Sequence, residues 1–384
     1  MGGGDRVRIW DFVDRKGLIR MTQTIASPAA PPTPDAVNDL RDWLAIANEY
    51  GEIKHIKGAD WNGEIGGLVD MISHQPDPPC LLFDEIKDYP AGYRLLANSA
   101  ATRKLAAILL GLPPDLGVTE LIAAWRERQR SQGERTLPVN EVRDGALFEN
   151  VLHGGDIDLY RFPAPKWHER DGGRYLGTAD MVITRDPDNG SINVGTYRMM
   201  IQDRDKIGLY ISPGHHGRLH RDKYFARGEA MPVVAVFGMD PVLFLAASRG
   251  FPLTTNELEW AGGAKGRPVD VIPGPVTGLP IPAGAEIAIE GYVHPDRLLD
   301  EGPFGEFTGY YASAVRKEPY VQVEAVYHRN DPIILGYCPG RPPGANLYSH
   351  GIIGSALIWD ALDAAGVPDV HGVGHLPSGP TGAW

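Results

Sequence analysis

Thiols are almost missing from this chain: Cys80 and Cys338 are the only cysteines among 384 residues. That number is too small for a disulfide framework or a thiolate zinc site. Positive charge is also short. Lysine and arginine total 37 against 49 aspartates and glutamates, a formal net charge of −12, which disfavours broad binding to nucleic acid or anionic membranes. Long apolar runs are missing too, since none approaches the roughly 18 residues of a membrane span. The longest candidate, "PVVAVFGMDPVLFLAAS", is interrupted by Gly238, Asp240 and Pro241 and reads as two buried strands. The opening "MGGGDRVRIWDFVDRKGLIR" has neither an apolar core nor a small-residue cleavage site, so it is not a secretory signal. A cytoplasmic, reducing location fits these absences.

What is present is apolar matter and bends. Hydrophobic residues make up 43% of the chain, with 47 glycines and 33 prolines, a texture of turns around a core. Met21 precedes a Pro/Ala/Thr-rich linker, so residues 1–34 read as an extension outside the fold. Leu40, Trp43, Leu44 and Ala47 then recur at helical spacing. "EIKHI" and "CLLFDEI" read as strands, and "GEIGGLVDMIS" and "ATRKLAAILLG" as helices. Residues 35–125 therefore predict an N-terminal α/β domain.

From 126 to 330 short strands and turns dominate, including a hairpin around Asp186-Pro187-Asp188-Asn189-Gly190. "PVVAVFG", "PVLFLAAS", "EIAIEGYV", "YVQVEAVYHR" and "PIILGYCP" belong to the same series. The pattern predicts a barrel or sandwich, and residues 331–384 form a short C-terminal α/β segment that includes "PIILGYCP" and a helix. The fold class is α+β, mixed.

Three stretches hold residues suited to chemistry. In "EGPFGEFTGYY", Glu301 and Glu306 stand five apart, a spacing that neither a helix nor a strand brings to one face. Gly302-Pro303 and Gly305 predict a bend between them, which suits either a solvated surface loop or a built site. In "SINVGTYRMM", Asn193 and Arg198 are also five apart and would point oppositely on a flat strand. In "SPGHHGRLHRDKY", His216 and His220 have the i, i+4 spacing of a metal pair, but Pro213, Gly214 and Gly217 favour a loop.

The ordered set "NVGTYR", "HHGRLH" and "EGPFGEFTGYY" resembles the UbiD family of reversible decarboxylases, along most of the chain. The resemblance implies a split-barrel domain that binds prenylated flavin mononucleotide, with Mn2+ or Mg2+ and K+. It implies Arg198, Glu301 and Glu306 as the catalytic set, with Arg198 clamping the substrate carboxylate and Glu306 donating the proton. Asn193, His216 and Glu257 match the divalent-metal ligands that also grip the cofactor phosphate. Ser248 and Arg249, with Thr196 and Tyr197, match segments lining the flavin.

The chemistry is coherent with that transfer. Loss of CO2 from an sp2 carbon leaves a carbanion that no side chain delocalises, so a cofactor must accept the electrons. A guanidinium holds a carboxylate bidentately. Asparagine, imidazole and carboxylate ligands with phosphate favour magnesium or manganese over zinc. The implied partners are a small-molecule carboxylic acid, a flavin prenyltransferase that supplies the cofactor, and further copies of the chain in a homodimer or larger homo-oligomer.

Family members carry a C-terminal lysine for the flavin phosphate and a helix that packs across a dimer. Neither has a match before Trp384, so 331–384 reads as truncated relative to the family. Two other readings remain at this point: a non-catalytic flavin- or metal-binding relative with an assembly role, and a flavin-independent, metal-dependent hydrolase built on His216, His220 and the acids.

Overall fold

The computed structural model describes residues 37–75, 77–132, 135–342, 344 and 347–374; the extension assigned to 1–34 lies outside the described residues. The first helix, Leu40–Glu49, buries Leu40, Trp43, Ile46 and Ala47 as one stripe. Asp39 starts it: its carboxylate accepts the Arg41 and Asp42 backbone N–H groups, both at 2.9 Å, and pairs with Arg329 at 2.6 Å. Burial pushes the Asp39 carboxyl up, but these N–H groups and the Arg329 guanidinium outweigh it and hold the carboxyl below its ordinary value.

The unfolded chain therefore binds that proton more readily, and the stabilisation is present above the unfolded value and lost as pH falls through the folded one. Asp39→Ala is expected to cost about 1–2 kcal/mol, read as a lower urea midpoint at neutral pH. The difference from wild type should shrink in acid.

Four strands form the first sheet, in the order Ile53–Lys57, Cys80–Asp84, Arg94–Ala97 and Ile333–Gly336. The last of these, read in the sequence as one more short strand, pairs in parallel with Arg94–Ala97 and is fully buried; a short apolar run does not disclose which sheet will cover it. The helix Leu347–Ala364 follows it and packs on Val118–Gln132, where Arg126 Nε donates to Asp360 at 2.9 Å. The stretch after residue 330 is thus folded into the first half of the molecule.

The larger sheet has nine strands among the described residues. Its order is Tyr175–Gly177, Met199–Asp203, Lys206–Gly208, Arg316–His328, Ile287–Glu301, Met231–Phe237, Asp180–Arg185 and Ile192–Gly195, with Asn150–His153 added beside Arg316–His328. Both faces are covered. Val234 and Val236 join one core with Met181 and Ile183, while Val233, Ala235 and Phe237 join another with Ile287 and Ile289. That is why these strands read as continuous apolar runs rather than alternating ones.

Two local expectations are corrected. "PVLFLAAS" is a helix, Pro241–Ser248, because Pro241 sits in its first turn and the Asp240 carboxylate accepts the Val242 N–H at 2.8 Å. Residues 241–247 are all buried, which erases the helical period that would have identified it. The histidine-rich segment is also helical from His216 to Ala226, with Gly214 left outside and Gly217 buried within.

Candidate active site

The strands Ile192–Gly195 and Met199–Asp203 lie towards opposite ends of the large sheet, yet only Thr196, Tyr197 and Arg198 separate them. At about 3.6 Å per residue that link spans at most roughly 14 Å. The sheet must therefore curl until its ends nearly meet, forming a half-barrel. The break between the strands also removes the objection that Asn193 and Arg198 would face opposite ways.

The link is anchored by its own backbone. Thr196 N–H donates to Ala247 O at 3.1 Å, and Tyr197 N–H to Asp180 Oδ1 at 3.1 Å. Thr196 Oγ1 donates to the Asp180 carbonyl at 3.0 Å. Asp180 is fully buried, and burial pushes its carboxyl well above the ordinary range.

Arg198 leaves this link with its side chain 8% exposed. Its Nε and Nη2 donate to the two oxygens of Glu301 at 2.8 and 2.7 Å, and its Nη1 donates to Glu306 at 2.6 Å. Glu301 ends the long strand and is 1% exposed; Glu306 lies beyond the bend and is 25% exposed. The chain turns at Gly302, whose φ of 80° suits glycine. One guanidinium thus gathers two acids that regular structure would have kept apart.

Flat apolar surfaces enclose the group. The Arg198 guanidinium carbon lies 4.5 Å from the Tyr210 ring centre and 5.1 Å from that of Phe304. Arg316 stacks on Tyr210 at 3.8 Å and approaches Glu301 at 3.9 Å. Tyr175 donates its hydroxyl to Glu301 at 3.3 Å, and its ring meets Phe304 at 4.4 Å. Burial, then the Glu301 charge, push the Tyr175 hydroxyl far up, so it stays a donor. For Arg198, burial favours losing the proton, but Glu301 and Glu306 reverse this and hold the guanidinium above its usual value. Tyr175, Tyr210, Phe304 and Arg316 were not singled out in the sequence, where ordinary aromatic and basic residues give no signal.

The remaining sequence candidates surround the same link. Glu257 is 3% exposed and accepts the Val194 N–H at 3.0 Å, next to Asn193. Burial pushes its carboxyl up to about 7. Asn193 is buried against the Tyr197 hydroxyl, with its Nδ2 atom lacking a hydrogen-bond partner. His216 begins its helix, and the next residue, Gly217, donates its N–H to the Tyr197 hydroxyl at 3.3 Å. Burial, then His215, push the His216 imidazole down, favouring its neutral form.

Ser248 and Arg249 follow Ala247 at the end of the helix that the link touches. Ser248 Oγ donates to Phe244 O at 2.9 Å and lies 3.3 Å from His350 Nε2; Arg249 stacks on Phe251 and Trp260. His220 does not join them. It is 3% exposed and engaged with Thr184 at 3.0 Å and Asp186 at 3.8 Å. Among the described residues no group of three or more His, Cys, Asp or Glu is arranged to hold a metal, and His220 is turned to Thr184 and Asp186.

Residues 140–342 match the family model of the UbiD 3-octaprenyl-4-hydroxybenzoate carboxy-lyase Rift-related domain, and residues 44–125 match the N-terminal domain of the same carboxy-lyase. The chain belongs to the UbiD family. Within this family of carboxy-lyases it is 31% identical over 338 residues to the pyrrole-2-carboxylic acid decarboxylase of Pseudomonas aeruginosa, covering 86% of this chain and 67% of that one. The vanillic acid decarboxylase of Sedimentibacter hydroxybenzoicus in its closed form superposes with a TM-score of 0.79 at 27% identity, covering 88% of this chain and 72% of that one.

An evolved dimeric form of the UbiD-class enzyme HmfF from Pelotomaculum thermopropionicum, in complex with prFMN, gives a TM-score of 0.77 at 30% identity, over 89% and 76% of the two chains. The mixed α/β architecture with its curled half-barrel is that of UbiD-class structures. Among the described residues no helix is long and apolar enough to cross a membrane.

Proposed function

We propose that this UbiD-family chain is a reversible, non-oxidative decarboxylase of an aromatic, heteroaromatic or α,β-unsaturated carboxylic acid, working with prenylated FMN. The observation that carries this reading is the sharing of Arg198: two of its nitrogens are committed to buried Glu301, and a third is lent to the more exposed Glu306. An incoming carboxylate can displace Glu306 from Nη1 while Glu301 keeps the guanidinium aimed. Tyr210 and Phe304 offer flat faces to a planar acid. Freed from Arg198, Glu306 takes up a proton from water through its side chain, which is 25% exposed, and gives it to the carbon that has lost CO2.

When bound, the prenylated flavin supplies the electron sink that the side chains lack. The residues present fit such a group. Asn193 is buried and brings a hard amide oxygen, His216 is kept neutral, and Glu257 is a buried carboxyl that a cation would relieve. These three would hold Mg2+ or Mn2+ with the flavin phosphate, and Thr196, Tyr197, Ser248 and Arg249 would line the ring.

The test is co-expression with a flavin prenyltransferase, then an absorbance spectrum and CO2 release from pyrrole-, phenol- and acrylate-type acids. At least one acid should turn over, and chelating the divalent metal should release the flavin and stop the reaction. Flavin- and metal-replete protein that is inert to the whole panel would refute the reading.

A further inference from the structure

A strap of chain runs under the acid turn. At its start Lys166 N–H donates to Trp61 O, and Lys166 O accepts from Gly63 N–H, both at 3.0 Å, joining the strap to the first half of the molecule. At its far end Gly172 N–H donates to Pro303 O at 2.8 Å, and the Tyr175 hydroxyl reaches both Pro303 O and Glu301. Between them lies Asp171, whose side chain is fully buried. Asp171 Oδ1 accepts the Gly305 N–H at 2.9 Å, and Oδ2 accepts the His168 N–H at 2.9 Å. The His168 ring lies so close that a Cβ at residue 305 would stand 2.5 Å from Nδ1.

We infer that Asp171 is a positioning residue for Glu306, acting through the backbone of Gly305. The inference rests on the decarboxylase reading for the role of Glu306, but not for the latch itself. Glu301 is placed by a long strand and a bidentate ion pair. Glu306 has neither: its carboxylate is held at one oxygen by Arg198 Nη1, and that contact must open for substrate. What keeps Glu306 next to the guanidinium once the contact opens is the backbone immediately before it. That backbone is pinned by a buried charged acceptor, and charge-assisted bonds of this kind are the stronger ones. The other backbone ties on this residue, Glu306 N–H to Tyr310 O at 3.0 Å and Gly309 N–H to Glu306 O at 2.8 Å, are internal to the loop and move with it.

The experiment uses the full chain, with and without flavin. In Asp171→Ala, hydrogen exchange at the Gly305 amide should accelerate about ten- to a hundredfold, the range for losing a charged acceptor. The kcat should fall by a similar factor, with KM and flavin content unchanged. Asp171→Asn keeps one carbonyl oxygen for Gly305 and should restore most of the protection and most of kcat, which a general loss of stability would not do.

Unchanged Gly305 exchange in the alanine variant would overturn the inference. So would a KM that rises as much as kcat falls, or an asparagine variant no better than alanine. If alanine prevents folding, the asparagine variant decides: Gly305 protection within threefold of wild type supports the latch, and a larger loss overturns it. A wild type that decarboxylates no acid refutes the proposed function alone, since the exchange measurement still decides the latch.

Discussion

Glu306→Gln is expected to lower kcat by about a thousandfold, the middle of the range for removing a general acid, while the protein stays folded and keeps its flavin. Glutamine matches glutamate in shape and still offers Arg198 Nη1 a carbonyl oxygen, so the 2.6 Å contact survives as a hydrogen bond from the guanidinium to an uncharged acceptor. What it cannot do is hand over a proton. The change in stability should be small, because glutamine keeps the contact and Arg198 keeps its two bonds to Glu301. Initial rates of CO2 release at saturating acid measure the first effect and a urea titration the second. A variant retaining more than about a tenth of the wild-type rate would give the proton-donor role to another group, because that loss is below the usual acid–base contribution.

Removing the guanidinium does more. Arg198→Ala strands Glu301, 1% exposed, with only the Tyr175 hydroxyl at 3.3 Å and Arg316 at 3.9 Å for company. Breaking one side of a buried ion pair costs about 3–5 kcal/mol, so this variant should unfold at clearly lower urea as well as lose turnover. The double variant Arg198→Met/Glu301→Gln removes both charges and should regain much of the stability without any activity. Arg198→Lys should fall between, since an ammonium cannot grip two carboxylate oxygens side by side. If the single and double variants unfold at the same denaturant concentration, Arg198 and Glu301 do not act as a buried unit.

The bend between the two glutamates was legible because glycine and proline report backbone directly, and a five-residue spacing excludes the regular alternatives. The hairpin at Asp186–Gly190 was legible for the same reason, and its strands pair from Arg185 and Ile192 outward. Burial hid the rest. The helix Pro241–Ser248 lost its period because it is covered all round, and Ile333–Gly336 chose its sheet by contacts with residues far back in the chain. Around Arg198, the aromatic walls and Asp171 went unseen because each is an ordinary residue whose meaning comes only from a neighbour remote in sequence.

The late arrival of Ile333–Gly336 bears on how the polypeptide matures. Until that stretch has emerged from the ribosome, Arg94–Ala97 has a neighbour on one side alone, and its free amides and carbonyls form an adhesive border. Long-distance pairing of this kind slows folding, so nascent chains halted before Ile333 would be the aggregation-prone species, and helpers that shield such borders would act during synthesis rather than after it.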